Sequence, residues 1–223
     1  MRYIKQWMFI FALSSCAVLS GCQDTSKNND QTEKKEETTK VTVQENDTYW
    51  APINPTSYIA KTYDEVSASL NKSDEEQAQA VAKAFIADFF TLSNKDNDGD
   101  IGGLDYIPST SNEAFQEYAK YYYYNNYAII LTNEGKDALP QVENITLSNV
   151  KPEMVTYMDK QYDGYTMDAN IEYVKASDAS NFKTSAKCTI IKMQDIHYVS
   201  NADVTTDKES GEPKDVYRII AVE

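Results

Sequence analysis

The period of the apolar residues changes once along this chain, and that single change restricts the fold more than any other feature. Between Asn54 and Gly135 apolar residues recur at helical spacing; from Val142 onward they alternate. Asn54-Pro55 predicts a helix start, with Asn as cap and Pro at the first helical position. Tyr58, Ile59, Thr62, Tyr63, Val66 and Leu70 then share one face. Ser73 and Glu76 predict a capping box for a second helix, with Asp74 and Glu75 complementing its dipole. Its apolar stripe is Ala78, Val81, Ala82, Phe85, Phe89 and Leu92. Thr110 and Glu113 predict a third helix running through Phe115, Tyr118, Ala119, Tyr122, Ile129 and Ile130 toward Gly135, with Tyr118 and Tyr122 facing inward.

Past Val142, the residues Tyr165, Met167, Ala169, Ile171 and Tyr173 alternate with Thr166, Asp168, Asn170 and Glu172, the pattern of a half-buried antiparallel strand. Asp163-Gly164 reads as the hairpin turn before it. A further strand run covers Phe182 to Val199; its alternation blurs after Ile190, as a bulge would cause. Asp207 to Pro213 reads as a turn and Val216 to Val222 as the last strand. Helices first and strands after predict an α+β domain, N-terminal helices packed on an antiparallel sheet of about four strands.

The chain opens with Arg2 and Lys5, continues with an apolar run from Trp7 to Leu19, and reaches Leu19-Ser20-Gly21-Cys22. The run is shorter than the roughly 20 residues a spanning helix requires and has the layout of an export signal. Leu19-Ser20-Gly21-Cys22 resembles the lipobox of bacterial lipoproteins. The resemblance implies removal of residues 1–21, a diacylglyceryl thioether (with acyl chains such as palmitate) on Cys22, and residence on the extracytoplasmic face of the cell membrane. An ordinary secretory signal cut near Ser20 is the alternative. More than one acyl chain is needed for stable anchoring, which the lipoprotein chemistry supplies.

Residues 22–47 hold no aromatic residue and few apolar ones. Such a segment does not bury enough apolar surface to offset its ordering entropy, which predicts a polar tether with a reach of about 25–30 Å. The domain is then expected over residues 48–223. The chain's formal charge is −14, and removal of a segment carrying Arg2 and Lys5 but no acid makes it −16. That charge argues against nucleic acid and anionic lipid headgroups as partners. Cys16 would leave with the signal, so Cys188 is the one other cysteine after Cys22, and an internal disulfide is excluded once Cys22 is lipidated. Cys188 reads as a small buried hydrophobe rather than a nucleophile.

The layout of residues 74–223, with Val81-Ala82-Lys83-Ala84-Phe85-Ile86-Ala87-Asp88-Phe89-Phe90 followed by Ile101-Gly102-Gly103-Leu104, resembles the nuclear-transport-factor-2-like (NTF2-like) fold and uncharacterised lipoproteins of low-GC Gram-positive bacteria. The resemblance implies a curved sheet wrapped around helices as a cone. It implies no particular function, since enzymes, ligand binders and assembly modules share that fold.

Two groups of residues carry candidate chemistry. Asn94, Asp96, Asp98, Asp100 and Asp105 fall at positions 1, 3, 5, 7 and 12 of a calcium-loop spacing, with Gly99 at 6. Asn at the first position and the short Asp at the last depart from that pattern, and a polar turn ending the helix is the competing reading. Tyr122, Tyr165, Met167, Tyr173 and Met193 are candidates to line an apolar pocket inside the cone; otherwise they fill the core. His197 is the single imidazole, with Asp195 two residues before it. No Gly-x-Ser-x-Gly, phosphate loop or His-rich metal spacing accompanies it. The expected function is therefore that of a non-enzymatic module binding a protein partner or envelope component. A small-ligand binder using the cone interior is the first rival. The second is an enzyme using a buried carboxylate such as Asp168 or Glu172.

Overall fold

A computed structural model describes residues 41–174, 182–197 and 211–223. The expected signal segment 1–21, Cys22, the expected tether up to residue 40, Val199 and most of the expected turn at Asp207–Pro213 lie outside the described residues. Among the described residues four α-helices, α1 (Ser57–Ser69), α2 (Asp74–Phe89), α3 (Asn112–Tyr122) and α4 (Tyr127–Asn133), precede four strands, β1 (Val142–Tyr157), β2 (Lys160–Tyr173), β3 (Ser185–Asp195) and β4 (Lys214–Val222). The strands form one antiparallel sheet in the order β1-β2-β3-β4. This is the α+β arrangement that the change of period predicts.

The capping box of α2 is complete. Ser73 Oγ accepts from the Glu76 amide and the Glu76 carboxylate accepts from the Ser73 amide. All six residues of the predicted α2 stripe are buried, and so are Ala80, Ala84, Ile86 and Ala87 on its other sides. The alanines let α2 sit close to its neighbours: it packs on α1 and touches all four strands. Each large apolar side chain buried there contributes about 1.5–3 kcal/mol. α1 starts two residues later than Asn54-Pro55 suggests. Thr56 is the cap, its Oγ1 accepting from the Ile59 amide at 3.3 Å, and Asn54 instead turns the chain with a φ of 47°.

The predicted third helix divides in two. Tyr124 and Tyr127 are buried, and a buried phenol needs a partner for its hydroxyl. Tyr124 Oη donates to Phe89 O (2.6 Å) and Tyr127 Oη donates to Lys95 O (2.7 Å), and meeting both breaks the helix between Tyr122 and Tyr127. In consequence Tyr118 and Tyr122 are 52% and 61% exposed rather than inward-facing. The Thr110–Glu113 box does not form either. Ser109–Ser111 makes a 3₁₀ turn, and α3 begins at Asn112 without a side-chain cap.

The β1–β2 turn is at Met158-Asp159, whose φ values of 47° and 61° fit a tight two-residue hairpin. Asp163-Gly164 instead lies inside β2. A Cβ on Gly164 would sit 2.4 Å from Ile190 O, so the glycine serves close strand approach rather than a turn. Register shifts at Ser148/Lys151 and at Thr189/Ile190 interrupt the ladders; the second is where the alternation of β3 blurs in the sequence. Contacts of the domain begin before Thr48. Val43 packs on the core, and Asn46 bonds Tyr63 Oη and Ser67 Oγ through its amide and side-chain nitrogens. The described residues fall in one compact unit.

Candidate ligand-binding cleft

Pro108 precedes the 3₁₀ turn Ser109–Ser111, from which α3 starts. A half-open cleft of about 370 Å³ is lined by α3 and β4. Its helix wall is Ser111, Ala114, Phe115 and Tyr118, a single helical face; Phe89 of α2 and Tyr123 belong to the same aromatic side. The opposite wall is β4 from Ile219 to Val222 together with Glu223, and Tyr157 at the end of β1 closes one side. Phe89 and Phe115 pack at 5.3 Å and Phe89 and Tyr123 at 5.2 Å, so the aromatic wall is itself a packed unit. Ser111 Oγ and Tyr157 Oη bond to each other at 2.5 Å, so these two lining hydroxyls satisfy each other. Tyr118 leans on Tyr122 (4.5 Å), which leans on Tyr121 (4.8 Å), so the aromatic surface continues from the cleft along the end of α3.

Of the pocket residues read from the sequence, Met167 (1% exposed) and Tyr173 are buried in the core, and Tyr165 and Met193 are half-buried on β2 and β3. None of the four lines the cleft. Tyr173 Oη donates to Lys183 O, and burial raises its phenol above the ordinary range. Tyr122 reaches the cleft only through Tyr118. None of the residues lining the cleft, Phe115, Tyr123 and Tyr157 among them, is in the pocket set read from the sequence. Phe115 carries the helical-period signal, but nothing local says that its face would be left partly uncovered.

The acidic segment is organised around an internal cation. Lys95, only 3% exposed, forms an ion pair with Asp88 at 2.6 Å, and the other oxygen of Asp88 accepts from the Gly103 amide at 2.7 Å. A Cβ on Gly102 would meet Asp88 O at 2.3 Å, which is why two glycines occur there. Asp105 is separated from the rest of the proposed calcium set: its Oδ2 accepts from the Trp50 amide (2.7 Å) and its Oδ1 pairs with His197 Nδ1 (2.9 Å). Asp100 accepts from the Asp96 amide, and Asn94 donates to Asn54 O. Asp98 lies partly exposed. Among the described residues no group of three or more His, Cys, Asp or Glu converges as a metal site.

His197 stacks on Trp50 at 4.7 Å. Its carboxylate partner is Asp105 and not Asp195. Asp195 accepts from Ser109 and from Arg218 Nε (2.8 Å), while Arg218 also donates to Asp105 O and Ile196 O. Burial works to raise the Asp195 pKa; the hydrogen bonds from Ser109 and Arg218 outweigh it and hold the group below its usual value. These bonds satisfy one another, and among the described residues no hydroxyl bonds the imidazole. Asp168 is half-exposed, accepting from Asn149, and Glu172 is exposed on β2. Burial pushes the Cys188 thiol up to about 12, the state of an inert core cysteine.

No family model, curated protein or solved structure matches the chain.

Proposed function

We propose that the chain is an exported lipoprotein, held to the outer face of a membrane by lipid on Cys22, whose domain is a non-enzymatic binding module that works through the α3–β4 cleft. The observation that carries the binding role is the cleft itself. It is a half-open, aromatic-walled space of ligand-site volume, with the Ser111 and Tyr157 hydroxyls of its lining paired to each other. Exposed, mutually packed Tyr118, Tyr121 and Tyr122 extend it, and tyrosines are favoured at recognition surfaces. The partner is a protein or an envelope component presenting an apolar group. The NTF2-like reading of the fold belongs to this proposal: helices on one sheet, with register shifts in two of its ladders, suit a sheet that curves around α2. A small-ligand binder is the second reading, favoured by a volume within the usual range of small-molecule sites, ~300–1,000 Å³. The acid–base enzyme reading draws no support from Asp168 and Glu172, neither of which is buried or lines the cleft.

Two experiments test the proposal. Saturation-transfer NMR with indole, on the full chain in lipid nanodiscs, should show contact that Ala114→Trp removes by filling the cleft. Equal transfer in both proteins would refute the binding site. Cys22→Ser should release the protein from the membrane fraction or block its processing; unchanged retention and processing would refute the anchor.

A further inference from the structure

The cleft-lining residues of β4 and the residue after it are consecutive, from Ile219 to Glu223. A regular strand presenting one face lines a cavity with every second residue, because side chains alternate. Ile220 is an extra residue at the bulge, but Ala221, Val222 and Glu223 face Thr189, Cys188 and Lys187 in regular register, and three consecutive lining residues there put the cleft along the edge of the strand. The sheet order agrees, since among the described residues β4 is terminal and pairs only with β3.

The hydrogen-bond phase of that edge is fixed. Glu223 and Lys187 exchange both main-chain bonds, N to O at 3.0 Å each way. Antiparallel pairs alternate between bonded and non-bonded positions, so Val222, opposite Cys188, turns its N–H and C=O away from β3. Farther along the same edge, past the bulge at Ile220 that shifts the alternation by one residue, Tyr217 also turns its N–H and C=O outward, and there they are already occupied. Its amide donates to Tyr49 Oη (2.8 Å), and Tyr49 Oη donates to its carbonyl (3.2 Å). One stretch of the β4 edge is thus capped by a tyrosine hydroxyl, while the stretch at Val222 opens on an aromatic-walled groove.

Resting on the cleft reading above, we infer that the cleft binds an extended, basic polypeptide segment that adds to the sheet as a strand beside β4. Its main chain bonds Val222, and an alternate apolar side chain enters between Phe115 and Tyr118. Strand addition of this kind takes affinity from main-chain bonds and selectivity from side-chain pockets. The charge chooses the occupant: the chain is −14 and Glu223 stands at the cleft, which favours lysine or arginine beside the apolar anchor. The same charge opposes a second copy of this chain in the groove.

The test uses the full chain in lipid nanodiscs and a pool of end-capped fluorescent heptapeptides. Each carries lysine at both ends, Val, Leu or Phe at the second, fourth and sixth positions, and threonine between. Anisotropy should report binding that weakens with salt and with glutamate in place of lysine. N-methylation of alternate peptide amides should weaken it about tenfold for each bond to Val222 that is blocked, in one phase of methylation and not the other. Val222→Pro removes the outward amide and leaves the bonded positions to β3 intact, so it should weaken the peptide similarly. Peptide binding indifferent to N-methylation in both phases overturns strand addition. Indole contact without peptide binding overturns this inference and leaves the cleft as a small-ligand site. Absence of both refutes the cleft reading as well. Self-association that excludes the peptide overturns the choice of occupant.

Discussion

Replacing Lys95 by Met removes the cation around which residues 94–105 close, and the structure sets the scale of the loss. Lys95 is 3% exposed and Asp88 8%, so the pair has given up most of its hydration, and the ammonium sits 2.6 Å from the carboxylate. Removing one member of a buried pair leaves a buried charge uncompensated, at about 3–5 kcal/mol. Asp88 keeps the Gly103 amide as a donor, which places the expected loss toward the lower end, about 3 kcal/mol. At about 2–4 °C per kcal/mol for a domain of this size, the melting temperature should fall by roughly 6–12 °C. The double variant Asp88→Asn/Lys95→Met carries no buried charge at this site and retains an acceptor for Gly103, so it should recover most of the loss. Urea denaturation of the full chain, wild type and both variants, measures each step. A single-variant loss below about 1 kcal/mol, the size of an exposed pair, would refute the claim that Lys95 organises the segment. So would a double variant no more stable than the single one.

Other substitutions follow from the same contacts. Calcium at ~10 mM should leave the melting temperature unchanged, whereas a site of ~10⁻⁴–10⁻³ M affinity would add about 1.4–2.7 kcal/mol; calorimetry decides. Gly102→Ala places a methyl against Asp88 O and should cost about 1–3 kcal/mol, read from the urea midpoint. Met167→Ala opens a cavity beneath β2 and should cost about 2–5 kcal/mol without abolishing indole contact at the cleft. Asp195 has a folded pKa below its unfolded value of about 3.9, so its contribution is complete above that value and is lost as pH falls through the folded pKa. Asp195→Asn should therefore flatten the stability profile below about pH 4, and an unchanged profile would refute its role.

The sequence carried the large features because they depend on periodicity and caps. The Ser73–Glu76 box, the α2 stripe and the alternation of β2 are local patterns, and each appears in the structure. Features decided by distant partners were not legible. Nothing near Tyr124 says that its hydroxyl will reach Phe89 O, so the break in the third helix was invisible, and with it the exposure of Tyr118 and Tyr122. Asp163-Gly164 has turn composition, yet the glycine is there for Ile190 across the sheet. The cleft was misplaced for the same reason. Met167 and Tyr173 show their burial in the pattern, but whether a buried residue fills space or borders it is set by how far α3 stands from β4.

The attachment of the chain around Asn46 and Tyr49 has a mechanical side. Asn46 is fastened to Tyr63 and Ser67 on α1, and Tyr49 to both main-chain groups of Tyr217 on β4. A pull applied on the N-terminal side of Asn46 is therefore divided between the helical layer and the sheet before it reaches the α1 backbone. Under the proposed anchor and cleft, drag from a bound partner would enter through β4 as well, and β4 would then lie on the load path between what is held and what does the holding.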